Sequence, residues 1–84
     1  MNAEVVYEHP RRIRKGADEY RVSVLGVERA DGTWVGWIEF ARGDSASSLR
    51  TAQETSQPNR DALAYWASGL EDVYLEGALA RAQD

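Results

Sequence analysis

Residues 57–82, QPNRDALAYWASGLEDVYLEGALARA, constrain the fold more than any other stretch of the chain. Leu63, Trp66, Leu70, Val73 and Gly77 recur at steps of three and four, and Ala62, Ala67, Tyr74 and Ala78 widen the same side into one stripe. At about 100° per residue, Asp61, Asp72 and Glu76 fall on the opposite side. Such a stripe predicts an amphipathic helix resting on a core. Ser56 or Asn59 can cap its start, and Pro58 is acceptable in the first turn. Ser68-Gly69 costs ~1 kcal/mol against alanine and could mark a kink or a break into two helices. One long, kinked helix is the expectation.

A helix with one apolar face needs another layer to bury it, and the preceding residues supply strands. In residues 20–29, Tyr20, Val22 and Val24 share one face and Leu25 and Val27 the other, while Gly26 marks a bulge or a close approach. Ala30-Asp31-Gly32 is a hairpin signal. Residues 33–41 follow as the second strand, with Trp34, Gly36, Ile38 and Phe40 on one face and Val35, Trp37 and Glu39 on the other. Residues 12–14 should pair with the start of the first strand through a turn at Gly16-Ala17-Asp18. Residues 42–47 read as a loop, residues 48–54 as an edge strand around Leu49, and residues 1–10 as a flexible N-terminal segment.

The whole reads as one α+β domain over residues 1–84, with two layers. A three- to four-stranded antiparallel sheet packs against one long C-terminal helix. The expected core is Val22, Val24, Ile38, Phe40, Leu49, Leu63, Trp66, Leu70, Val73 and Tyr74. Either sheet face could receive the helix. One helix covers only one face, so one of Trp34 and Trp37 should stay partly exposed.

A chain of 84 residues buries only about 60–65% of its unfolded surface, so its core is small. With no cysteine, disulfides and thiolate metal sites are excluded. His9 is the single histidine and sits beside Pro10, with no second histidine or nucleophile at a recognisable spacing. No catalytic, cofactor-binding or metal-ligating residue is therefore assigned, and the expectation is a non-enzymatic protein without cofactors. The N-terminus lacks the apolar core of a signal peptide, and no stretch reaches membrane-spanning length. A cytoplasmic protein with no membrane partner is expected.

Two partner readings arise. Leu75 and Leu79, four residues apart, lie outside the helix stripe; with Trp34 or Trp37 they would form the contact of a homodimer or with another protein. The alternative is single-stranded nucleic acid, with Arg11, Arg12, Arg14 and Lys15 on phosphates and an exposed tryptophan stacking on a base. The net charge of −4 opposes it, and basic residues on an edge strand also keep sheets apart.

Tyr20–Val24, the Asp31-Gly32 turn, Trp34–Ile38, a third strand, Thr55 before the helix, Ala62-Leu63 and Tyr74-Leu75-Glu76 together resemble the small β-β-β-α domain of HicB-like antitoxins, a bacterial family. That family usually places a proline- and glycine-containing segment after its second strand, and residues 40–47, FARGDSAS, lack the proline. The resemblance implies a partial RNase H-like fold without catalytic carboxylates, and neutralisation of an RNA-cleaving toxin by protein contact.

Overall fold

A computed structural model describes residues 2–43 and 47–84. Along the chain run β1 (Glu4–Glu8), β2 (Ile13–Lys15), β3 (Asp18–Glu28), β4 (Trp34–Arg42), β5 (Ser48–Arg50), β6 (Thr55–Gln57), α1 (Arg60–Ser68) and α2 (Asp72–Arg81). The protein is α+β: an antiparallel sheet with two C-terminal helices on one face. The two alternating stretches are its centre, with β3 and β4 in register from Tyr20 opposite Arg42 to Glu28 opposite Trp34. Their loop closes as expected from Asp31-Gly32. Arg29 N–H donates to the Thr33 carbonyl (2.7 Å) and Gly32 N–H to the Arg29 carbonyl (2.9 Å). Gly32 takes the left-handed residue of this three-residue loop, with φ 89°. The Asp31 carboxylate accepts from Thr33 Oγ1 (2.7 Å) and Thr33 N–H (3.0 Å), which holds its pKa below the ordinary aspartate value.

Each side of this hairpin carries two short strands in place of one. β1 and β2 pair in succession with β3, and β5 and β6 with β4. Glu4–Glu8 is thus a strand of the sheet, where a flexible N-terminal segment was expected; Tyr7 lies opposite Val24, and His9 N–H continues the ladder to the Val22 carbonyl (2.9 Å). The expected edge strand over residues 48–54 is interrupted after Arg50. Across the gap, β4 keeps its backbone partners. Thr51 Oγ1 accepts from Ile38 N–H (3.1 Å), Thr51 N–H donates to the Ile38 carbonyl (3.0 Å), and Glu54 N–H donates to the Gly36 carbonyl (2.8 Å). Gln83 closes the outer side of β5 through two backbone hydrogen bonds with Arg50, of 2.8 and 2.9 Å.

The helical stretch begins where Asn59 Oδ1 accepts from Ala62 N–H (2.8 Å), with Pro58 just ahead of this cap. It is two helices, not one. Ser68 Oγ turns back to the Tyr65 carbonyl (2.7 Å), Gly69 ends α1, and Glu71 is extended at φ −97°, ψ 164°. Serine and glycine in succession are weak helix formers, and the break resets the helical phase. In α2 the stripe is Leu75, Ala78 and Leu79, all buried, with Ala82 packed beside them. Val73 and Tyr74, expected in the core, are 74% and 38% exposed. Leu49, Trp66 and Leu70 flank the core half-buried, and Val22, Val24, Ile38, Phe40 and Leu63 are fully inside it.

Two glycines decide which face the helices cover. Gly26 and Gly36 stand opposite each other on β3 and β4. A Cβ on Gly36 would stand 2.6 Å from Leu63 Cδ1, and one on Gly26 would collide with Leu63 Cδ2. Together they form a notch that receives Leu63, so α1 rests on the face shared by Val22, Val24, Ile38 and Phe40. Among the described residues no helix is long and apolar enough to cross a membrane.

Candidate functional site

Both helices lie on one face, and among the described residues no helix covers the other. The register places Val5, Leu25 and Trp37 in one row across β1, β3 and β4 of that second face, and Val27 and Val35 in the next. Val5 is 48% exposed, Leu25 and Val27 are half-buried, and Val35 and Trp37 are buried. The last two stand apart from the helix-side core. The Arg50 guanidinium lies 4.5 Å from the centre of the Trp37 ring, a cation–π contact. Among the described residues the enclosed Trp37 Nε1–H meets no acceptor. Towards the β2 end the same face turns polar. One row reads Glu8, Ser23, Glu39, Arg50, with Ser23 Oγ donating to Glu8 Oε1 (3.1 Å). Beyond it lie Arg21 and then Glu19 beside Arg14.

The residues expected at a partner interface are not brought together. Leu75 and Leu79 are 0% and 2% exposed; they are the core face of α2 and cannot meet a partner while the chain is folded. The break at Gly69 is the reason, because it moves that strip from the outside of one long helix to the inside of a short one. Trp34 shares the Gly36 face and packs against the core. Trp37 alone of the four belongs to the uncovered face. Leu25, Val27 and Val35 complete its surroundings, and their signal was present in the sequence: both faces of the two central strands are apolar near the hairpin, where one helix layer can bury only one.

The basic segment is partly neutralised, three of its four cations meeting two carboxylates. Arg11 pairs with Asp72 (2.9 Å), and Arg12 and Arg14 both pair with Glu19 (3.6 Å each). Lys15 is exposed at the β2–β3 turn. Trp37 stands opposite Leu25, six residues along β3 from Glu19, or roughly 20 Å at strand rise. The tryptophan and the four cations therefore occupy different ends of the sheet. His9 sets its ring against the edge of Tyr7 (6.5 Å between centroids), and among the described residues no three His, Cys, Asp or Glu side chains gather to hold a metal.

One charged cluster escaped sequence reasoning because its members are 20 and 27 residues apart. Glu54 Oε1 accepts from the Tyr74 hydroxyl (2.5 Å) and from Arg81 Nη2 (2.7 Å). Arg81 also lies 5.9 Å from the Tyr74 ring centre, and Tyr74 meets Trp66 edge-on at 6.3 Å. The cluster clamps α2 to the segment between β5 and β6. Burial raises the Glu54 pKa, but the hydrogen bonds from Tyr74 and Arg81 and the Arg81 charge outweigh it and hold the value below that of an ordinary glutamate. Its contribution is therefore complete above the unfolded value of about 4.3 and disappears as pH falls through the lower folded value. Thermal melts at neutral and strongly acid pH should show Glu54→Gln destabilised at the former and level with the native chain at the latter.

Two clefts adjoin the C-terminus. One of about 220 Å³ has Tyr20, Phe40 and Leu49 as its apolar wall, and one of about 350 Å³ lies between Arg50 and Arg81. The first is smaller than the usual small-molecule site. The second places two cations on an open rim, without enclosing walls. Comparison with known protein families, curated proteins and solved structures finds no match to this chain.

Proposed function

We propose that this chain is a small, non-enzymatic, cytoplasmic protein-interaction module whose contact surface is the uncovered face of its sheet. The observation that carries the reading is the exposed Val5 and the half-buried Leu25 and Val27 around the buried Val35 and Trp37, on a face that no helix covers among the described residues. An antiparallel sheet with one solvated face ordinarily alternates apolar inside and polar outside, as this one does at its β2 end. At the hairpin end it is apolar on both sides, and contiguous apolar surface marks association. Neutralising a ribonuclease by protein contact is the form of such a role suggested by the resemblance to HicB-like domains. Nucleic-acid binding has weaker support, because Arg11, Arg12 and Arg14 are already engaged with carboxylates.

Affinity capture with the native chain and with Val27→Glu, both treated with nuclease, tests the reading. Val27 lies outside the helix-side core, so the variant should stay folded, its melting temperature within about 4–8 °C of the native one. A stoichiometric protein held by the native chain and lost with Val27→Glu is the expected result. Capture that survives Val27→Glu, or that vanishes with nuclease, would end the proposal.

A further inference from the structure

The geometry points to a second copy of this chain as the occupant of the uncovered face, packed sheet to sheet about a twofold axis parallel to the strands and between β3 and β4. This inference rests on the association reading above and names its partner. Two gradients on the face select the axis. Along the strands the surface passes from apolar at Val27 and Val35, through Leu25 and Trp37, to polar at Arg21 and Glu19. A twofold axis along the strands keeps each end over the same end of the other copy. An axis across the strands that overlaid the full length of the face, passing through Ser23, would instead lay Val27 over Glu19 and Leu25 over Arg21.

Across the strands the gradient is in charge. The row Glu8, Ser23, Glu39, Arg50 begins with an acid on the β1 edge and ends with a cation on the β5 edge. A twofold axis along the strands exchanges those edges, so Glu8 of each copy stands over the partner's Arg50. The same operation sets the half-buried Leu25 over the partner's Trp37, whose ring carries the Arg50 guanidinium, and the half-buried Val27 over the partner's Val35. Trp37 and Val35 are buried within each copy, so Leu25 and Val27 supply the apolar contact. Apolar overlap and charge complementarity are thus satisfied by one axis. Facing sheets stack about 10 Å apart with strands within about 30° of each other, a gap that a glutamate and an arginine span together.

Association through the β1 and β5 edges is disfavoured. A second β1 laid antiparallel about Val6 would set Glu4 opposite Glu8, and β1 carries an irregularity between Val5 and Tyr7. The outer side of β5 is already closed by Gln83.

Light scattering on the purified full chain from low to high micromolar concentration should show the mass rising to twice 9.4 kDa. Glu8→Arg and Arg50→Glu should each weaken self-association about tenfold or more, because each variant places two like-charged pairs in its own dimer. An equimolar mixture of the two should recover the dimer, every substituted side chain then facing its opposite. Within one chain Glu8 and Arg50 are three strand spacings apart, roughly 14 Å, so recovery on mixing reports a contact between copies. Val27→Glu provides a second reading on the same face and should also give a folded monomer. A native chain that stays monomeric at high micromolar concentration overturns the inference, as does a dimer indifferent to these substitutions or a mixture that fails to recover. A monomer that still captures another protein through Val27 overturns the second copy and leaves the association reading in place.

Discussion

Leu75→Asp is expected to leave no cooperative unfolding transition at neutral pH, and Leu79→Asp should do the same. Both leucines are enclosed between α2 and the sheet. Truncation of such a side chain to alanine already costs about 2–5 kcal/mol, against a total stability of about 5–15 kcal/mol for a whole domain. Among the described residues the core offers such a carboxylate no cation, and its desolvation adds several kcal/mol more. A small domain has no such reserve. Thermal and urea melts followed by far-ultraviolet circular dichroism check the result. A folded Leu75→Asp protein would mean that α2 presents another side to the sheet. The contrast with Val27→Glu separates interior from proposed contact surface: one apolar-to-acid change is expected to remove the fold, and the other only the proposed association.

That contrast also shows how much the sequence discloses. The central strands, the Asp31-Gly32 hairpin and the two-layer α+β class follow from alternation and turn chemistry, which are local properties, and they are where the residues put them. Leu75, Ala78, Leu79 and Ala82 have the spacing of a core stripe in the sequence as well. Their orientation does not follow from spacing, because helical phase is relative and Ser68-Gly69 can either transmit it or reset it. A kink would have preserved the phase from Leu63 onward; the extended Glu71 abolishes it. The Glu54–Tyr74–Arg81 cluster and the division of each edge into two short strands depend on contacts between distant segments, for which no local pattern exists. Gly26 was legible as a close approach, but not what approaches it. The uncovered apolar face lay within reach: counting apolar residues on both sides of residues 20–29 and 33–41 shows more than a single helix layer can cover.

The notch at Gly26 and Gly36 produces the second large effect, and its sign is diagnostic. Glycine in the middle of a strand is ordinarily a weakness, and replacing it with alanine where space allows stabilises by about 0.4–1 kcal/mol through the unfolded chain. At this position the expected outcome is the reverse. An alanine Cβ at position 36 meets Leu63 Cδ1 at 2.6 Å and the Leu25 carbonyl oxygen at 3.3 Å. Leu63 is fully buried and must shift to admit the methyl group, so Gly36→Ala should destabilise by about 1–3 kcal/mol. Leu63→Ala removes the side chain that fills the notch and should destabilise by about 2–5 kcal/mol. Once that side chain is gone, the added methyl at position 36 loses its main obstacle. The double variant should therefore be more stable than the sum of the two losses allows, with a coupling of about 0.5–3 kcal/mol. Urea titrations of the native chain, the two single variants and the double variant measure that coupling directly. Additive losses would mean that α1 is not seated through Leu63, and that the two glycines do not decide which face of the sheet is covered.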